Sequence, residues 1–171
     1  MEHYLRSACQ TLCLSAALVA PAAADPFEDF GTAMKYTLPA AAALCAARDD
    51  RLEDFAVRGL LQTGLVWALK SWTDGSRLGR RPDGTGRGFP SGHAASAAFG
   101  AADLAGKCFP ADRAAGAMVY GAAGLTAVSR VEAGRHTPAQ ALTGAMIGVS
   151  FGAASLGIGT EAVGFQWGMR F

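Results

Sequence analysis

Charged residues, histidines and cysteines are all scarce in this chain of 171 residues. Charged side chains make up 17% of the sequence and the net charge is +1, so no overall field favours nucleic acid or acidic partners. Two of the four cysteines lie within residues 1–24, and the remaining pair, Cys45 and Cys108, leaves only a single disulfide open. Because no Cys-x-x-Cys spacing or similar metal-ligand pattern occurs, we expect no metal and no cofactor.

Residues 1–24 have the features of an export signal. Arg6 ends a short polar start, residues 8–20 are mostly apolar, and Ala22-Ala23-Ala24 offers a small-residue cleavage site before Asp25. An uncleaved N-terminal membrane anchor is the alternative. Either feature predicts that the remaining domain, residues 25–171, is delivered outside the cytoplasm.

Five apolar stretches alternate with short polar connections in that domain. They cover about residues 33–47, 55–71, 92–106, 114–128 and 139–158, and their lengths and their Pro and Gly borders predict helices. The expected fold class is all-α, a compact up-and-down bundle of about five helices. The hydrophobic content of 51% is high for a soluble protein, and we expect the bundle to be membrane-embedded. Only the last stretch has the ~20 residues of a spanning helix, so a soluble bundle is the alternative.

Two patterns near the C-terminus predict local structure. Gly144, Gly148 and Gly152 recur at every fourth position, which would give the last helix a face for close contact with another helix. From Val163 to Phe171, apolar residues alternate with small or polar ones. This period of two predicts an extended edge segment or an interfacial anchor.

The two histidines that follow residue 24 lie in two short polar segments. The first segment reads Phe89-Pro90-Ser91-Gly92-His93, and the second runs from Ser129-Arg130 to His136-Thr137-Pro138. In an up-and-down bundle both segments fall at the same end. Imidazole and guanidinium groups together are typical of a site that binds an oxyanion and transfers protons. We therefore predict a phosphate site.

Local sequence also predicts how these residues are held. Ser91 is suited to cap the helix that follows, where free backbone N–H groups and the absent side chain of Gly92 favour phosphate binding. A plain helix cap followed by a surface histidine is the alternative. Thr137-Pro138-Ala139-Gln140 fits a capping box, yet Gln140 is also close enough in sequence to contact His136. Both roles of Gln140 stay open.

Together the segments resemble the type 2 phosphatidic acid phosphatase superfamily, which also includes bacterial acid phosphatases and vanadium haloperoxidases. The family pattern is a lysine, six residues and Arg-Pro, then Pro-Ser-Gly-His, then Ser-Arg, five residues, His, three residues and Asp. Residues 90–93 match the second motif in full. Ser129, Arg130 and His136 match the third motif as far as its histidine.

Two positions depart from this pattern. Arg81-Pro82 fits the first motif, but Lys70 lies eleven positions before Arg81 instead of seven, which we interpret as a four-residue insertion. Gln140 stands where the family has its aspartate, the carboxylate that orients the nucleophilic histidine. Because glutamine carries no charge, it supports an imidazolium less well. Unless Glu132 in the same loop compensates, Gln140→Asp should raise turnover.

The resemblance implies a metal-independent phosphatase that hydrolyses phosphate or pyrophosphate monoesters, and we expect lipid phosphates as substrates. His136 would attack phosphorus to form a phosphohistidine, while His93 would protonate the leaving group and then activate water. The residues expected to bind the phosphoryl oxygens are Lys70, Arg81, Ser91, Gly92 and Arg130. A catalytically impaired phosphate or phospholipid binder is the alternative, because Gln140 replaces the aspartate.

The expected partners are a lipid phosphate and the membrane, with no nucleic acid and no protein partner. The leader predicts a bacterial inner membrane location with the site facing the periplasm, and a soluble periplasmic protein is the alternative. The cations around the histidines would by themselves favour the cytoplasmic side. A vanadate-dependent haloperoxidase would use a similar pocket, but such enzymes usually have much longer chains.

Overall fold

The computed structural model describes residues 25–158 and 163–167, which form five α-helices and a short β-hairpin. The helices are α1 (Pro26–Arg48), α2 (Leu52–Trp72), α3 (Gly92–Asp103), α4 (Arg113–Glu132) and α5 (Pro138–Ala153). A π-helical turn (Leu104–Cys108) continues α3, and the strands are β1 (Ala154–Ile158) and β2 (Val163–Trp167). The predicted number and order of helices are confirmed. The leader, residues 1–24, lies outside the described residues.

Side-chain caps mark the beginnings of α3 and α5. The Ser91 hydroxyl accepts a hydrogen bond from the backbone N–H of Ala94 at 3.4 Å and so caps α3. At the start of α5, the Thr137 hydroxyl accepts from Gln140 N (3.3 Å) and the Gln140 side chain accepts from Thr137 N (3.1 Å). The predicted cap at Ser91 and the predicted capping box are therefore both present.

Helix α3 lies at the centre of the bundle, and nine of its twelve residues are buried. The glycine face of α5 packs directly on it: a Cβ atom at Gly144, Gly148 or Gly152 would collide with a backbone carbonyl of the α3 segment. Close contact between the two backbones therefore requires glycine at these positions. The prediction of a close-contact face is confirmed.

The fifth helix is shorter than predicted. It ends at Ala153, and residues 154–158 form β1 instead, antiparallel to β2 with Ala154 opposite Trp167. The fold is therefore helical with one hairpin rather than strictly all-α. The extended segment predicted from Val163 is confirmed as far as Trp167, and residues 168–171 lie outside the described residues.

A buried arginine and a partly buried lysine explain why α5 ends where it does. Arg58 and Lys107 donate hydrogen bonds to the carbonyl oxygen of Gly152 at 3.1 and 3.3 Å. Because these cations satisfy the final carbonyls, the chain can leave the helix without exposing unpaired backbone groups. Asp103 balances their charge, since it is fully buried and accepts from Arg58 at 2.6 Å and from Lys107 at 3.2 Å.

A disulfide between Cys45 and Cys108 links the last turn of α1 to the π-helical turn, with the two Cα atoms 6.3 Å apart. The single bridge that the sequence left open is therefore formed. It connects residues 63 positions apart and lies at the end of the bundle where α1 and α3 finish.

The outer surface of the bundle carries many large apolar side chains. Examples are Leu60, Trp67, Trp72, Met118 and Leu142, each of which is more than half exposed. Within residues 25–158 and 163–167, none of the helices combines the length and the apolar character needed to cross a membrane. Membrane embedding therefore stays a prediction.

Candidate active site

The two histidine segments meet around a cavity of about 380 Å³ at one end of the bundle. Helices α2 and α4 end at this cavity, while α3 and α5 begin there, so four helix ends converge on it. The residues in its wall from the predicted set are Lys70, Arg81, Gly92, His93, Arg130 and His136. Residues far apart in sequence are thus brought together as predicted from the helix order.

The cavity is strongly cationic. Five basic side chains line it: Lys35, Lys70, Arg81, Arg130 and Arg135. Among the residues that the structure describes, no carboxylate belongs to the lining. Such an arrangement favours a bound anion, because charge-assisted hydrogen bonds to an oxyanion are stronger than neutral ones.

His136 is buried, with 4% of its surface exposed, and precedes α5. Its Nδ1 atom lies 3.3 Å from Oε1 of Gln140. Burial, and then the charge of Lys70, lower the pKa of His136 to about 4, although the hydrogen bond with Gln140 acts in the opposite direction. The imidazole is therefore neutral at pH 7, which is the state that a nucleophile needs.

His93 lies in the first turn of α3 and also lines the cavity. Burial lowers its pKa to about 4, and the charges of Arg130 and Lys35 act in the same direction. An anion bound among these cations would offset their charge and raise the pKa of His93. Proton uptake by this imidazole is thus favoured when the cavity is occupied.

Arg130 is held by a carboxylate that the sequence did not predict. Its Nη2 atom and the Nε atom of Arg135 each donate to Oε1 of Glu28 at 2.9 Å. These two hydrogen bonds, led by that of Arg135, hold the pKa of Glu28 below its usual value. Glu28 in the first turn of α1 therefore fixes both arginines beside the cavity while remaining ionised.

Two guanidinium nitrogens at the cavity lack partners. Within the described part of the chain, Nε of Arg81 and Nε of Arg130 are buried without a hydrogen-bond acceptor. Buried polar groups are normally paired, so each exception needs an explanation. A bound oxyanion would provide acceptors for both arginines.

Lys70 reaches the cavity despite its displaced position in sequence. It lies near the end of α2, and its Nζ atom donates to the carbonyl oxygen of Arg87 at 2.9 Å. Residues 73–91 form an irregular segment between α2 and α3, and Arg81 in this segment lines the same cavity. Burial lowers the pKa of Lys70 to about 8, and the charges of Arg81 and Arg87 contribute.

Ser91 and Gly92 have different positions relative to the cavity. Gly92 lines it, and a Cβ atom there would lie 3.8 Å from Cε of Lys70. Ser91 is fully buried, does not belong to the lining, and uses its hydroxyl as the cap of α3. A contact between the Ser91 hydroxyl and phosphate stays a prediction.

Gln140 has both of the roles that the sequence left open. Its Oε1 atom accepts from Thr137 N in the capping box and lies beside Nδ1 of His136. Its Nε2 atom donates to the carbonyl oxygens of Leu78 and Arg80, each at 2.9 Å. Glu132, the candidate for compensation, is exposed and does not line the cavity.

Sequence reasoning missed three charged residues at the site: Glu28, Lys35 and Arg135. Glu28 follows Asp25-Pro26, so its position is that of an ordinary acidic residue at a helix start. Lys35 is the only charged residue between Asp29 and Arg48 in α1, and this isolated cation was the available signal. Arg135 directly precedes His136, but no motif distinguishes it.

The chain is similar to known proteins in sequence and in fold. The model of the PAP2 superfamily matches residues 60–162, which include every motif residue of the cavity. The crystal structure of Aquifex aeolicus LpxE matches with a TM-score of 0.58 and 25% sequence identity, over 77% of this chain and 86% of that chain. A comparison with curated proteins gives no significant match.

Proposed function

Because the chain belongs to the PAP2 superfamily, we propose that it is a phosphatase that hydrolyses phosphate or pyrophosphate monoesters of lipids. The observation that carries the proposal is the cavity itself, in which two neutral histidines face five cationic side chains. This combination supplies a neutral nucleophile in His136 and charge stabilisation by the cations, and His93 becomes a proton donor when the bound phosphate raises its pKa.

In the proposed reaction, Nε2 of His136 attacks phosphorus and the bond to the leaving oxygen breaks. His93, which takes up a proton when the phosphate anion occupies the cavity, donates that proton to the leaving oxygen, and the products are a phosphohistidine and an alcohol or a phosphate ester. A water molecule, deprotonated by His93, then attacks the phosphohistidine and releases inorganic phosphate. Both histidines return to their starting states, so the cycle is balanced in protons.

The cations stabilise the phosphoryl oxygens as negative charge redistributes. Arg81 and Arg130 each have a buried Nε donor without a partner, and Lys70 remains cationic up to a pH of about 8. We propose that these side chains, with the N–H of Gly92, stabilise the negative charge that other phosphatases stabilise with metal ions. The proposed mechanism is metal-independent.

The experiment compares phosphate release from a panel of lipid phosphates and diphosphates by the native protein and by His136→Ala. We expect the variant to lose about 10³-fold or more of the activity, because the nucleophile is missing. Glu132→Gln serves as the matched control, since Glu132 is exposed and outside the cavity, and should keep full activity. EDTA should leave the native rate unchanged.

Near-normal activity in His136→Ala would refute the assignment of the nucleophile. Loss of native activity in EDTA, restored by magnesium or zinc, would refute the metal-independent mechanism. A second candidate function is a catalytically impaired phosphate or phospholipid binder, which Gln140 in place of the aspartate favours. A native protein that binds inorganic phosphate but releases none from any substrate would support the binder.

We also propose a location at the bacterial inner membrane with the cavity facing the periplasm. The leader-like residues 1–24 and the Cys45–Cys108 disulfide favour an oxidising compartment outside the cytoplasm. The exposed apolar side chains, such as Trp67 and Trp72, favour contact with lipid. A soluble periplasmic protein is the alternative.

A further inference from the structure

The orientation of the Gln140 amide is determined by its surroundings. Its Nε2 atom faces the carbonyl oxygens of Leu78 and Arg80, which can only accept hydrogen bonds. The opposite orientation would place Oε1 against both carbonyls and Nε2 against the N–H of Thr137. Because Gln140 is only 1% exposed, such unpaired contacts would be costly, so Oε1 must face Thr137 and His136.

This orientation favours one tautomer of His136. The backbone of Gly88 also lies close to the imidazole and raises its pKa, whereas Gln140 places an acceptor beside Nδ1. Oε1 of Gln140 has no proton to give, so the contact of 3.3 Å is a hydrogen bond only when Nδ1 carries the hydrogen. In a neutral imidazole the proton on Nδ1 leaves the lone pair on Nε2. That form is the one in which Nε2 can attack phosphorus.

The same amide holds the segment that carries Arg81. Nε2 of Gln140 donates to the carbonyl of Arg80, the residue directly before Arg81. Gly88 packs against this contact, since a Cβ atom there would lie 2.8 Å from Nε2 of Gln140 and 2.7 Å from Cγ of Arg81. Gln140 therefore links the segment 73–91 to the helix start beside His136.

We infer that Gln140 is a positioning residue that selects the Nδ1–H tautomer of His136 and, through its N–H groups, fixes the segment bearing Arg81. An aspartate could not perform both tasks, because it is shorter by one methylene and has no N–H to donate. The carbonyls of Leu78 and Arg80 would lose their donor. This reverses the expectation from sequence: Gln140→Asp should lower activity. The inference rests on the proposed function only in taking His136 as the nucleophile.

The first test measures the tautomer directly, by nuclear magnetic resonance of the native protein carrying isotope-labelled histidine. We expect His136 to carry its proton on Nδ1 near neutral pH and the lone pair on Nε2. In Gln140→Met, which keeps the length but has no N–H to donate and only a weakly accepting sulfur, this preference should be lost. Gln62→Met is the matched control, because Gln62 is also buried in the cavity wall but makes no described contact with His136.

The second test measures kcat and KM on a lipid phosphate. Gln140→Met should lower kcat by about 10²-fold or more, as expected when a catalytic imidazole loses its orientation. KM should rise as well, because Arg81 is no longer fixed. For Gln140→Asp we expect a lower kcat and a higher KM, with kcat/KM reduced by about tenfold or more, which corresponds to the loss of two buried hydrogen bonds.

An Nε2–H tautomer in the native protein would overturn the inference, and so would a higher kcat/KM in Gln140→Asp. Because the tautomer of the native protein is read without substrate or substitution, a variant that fails to fold does not affect that result. A native protein with the Nδ1–H tautomer but no phosphatase activity would refute the proposed function and leave the positioning role of Gln140 supported.

Discussion

Lys70 shows how burial adjusts a single residue for a role in anion binding. Burial lowers its pKa to about 8, and the nearby charges of Arg81 and Arg87 act in the same direction. Lys70 is therefore cationic below that pH and loses its charge as the pH rises through it. An arginine at the same place would keep its charge throughout this range.

We therefore predict that kcat/KM of the native protein falls by about tenfold as the pH rises past about 8, the loss expected for one charge-assisted contact. In Lys70→Arg the fall should move upward by at least about one pH unit. Ionisation of the substrate does not cause this fall in kcat/KM, since a phosphate monoester completes its second ionisation near pH 6. Identical alkaline limits in the two proteins would show that Lys70 does not bind the substrate.

At the scale of elements, glycine decides how closely α5 approaches α3. A Cβ atom at Gly148 would collide with the carbonyl of Ala95 and lie 2.8 Å from the backbone nitrogen of Phe99. Neither backbone atom can move unless the helices separate. Gly124 in α4 is different, because a Cβ atom there would meet nothing within 4 Å.

We predict that Gly148→Ala destabilises the protein by about 1–3 kcal/mol, the usual cost of overpacking. Gly124→Ala should instead stabilise it by about 0.5–1 kcal/mol, because alanine is the better helix former. Denaturant unfolding of both variants under the same conditions provides the comparison. Equal effects of the two substitutions would show that α5 and α3 are not in backbone contact.

The helices and the shared position of the histidines could be predicted because apolar periodicity and caps are local signals. The end of α5 could not, since Arg58 and Lys107 reach its last carbonyls from other parts of the chain. At the site, Gln140 is the clearest example of a residue whose contacts could not be predicted from the sequence. Its place in a motif suggested a missing charge, but its amide contacts with Leu78 and Arg80 depend on a segment some 60 residues away.

At the scale of the whole molecule, the two ends of the bundle differ in character. The cavity end has converging helix termini and excess positive charge, whereas the opposite end is closed by the Cys45–Cys108 disulfide and the buried Asp103 ion pairs. A structural disulfide forms and persists in an oxidising compartment. The state of the cysteines therefore reports where the protein folds.

Labelling of the four cysteines tests both export and the fate of the leader. The full chain is expressed in a bacterial host, denatured without reductant, and treated with a thiol-specific reagent that adds a countable mass. If residues 1–24 are a cleaved signal, Cys9 and Cys13 are removed and the bridged pair is protected. We then expect no labels before reduction and two labels after it, as required by the Cys45–Cys108 bridge.

An uncleaved anchor gives a different count, because Cys9 and Cys13 remain in the chain as free thiols. It would show two labels before reduction and four after it. The control is the chain 25–171, which stays in the reducing cytoplasm and should show two labels without reductant. Four labels on the full chain before reduction would mean that all its cysteines are reduced, which would contradict export and the periplasmic location proposed for the cavity.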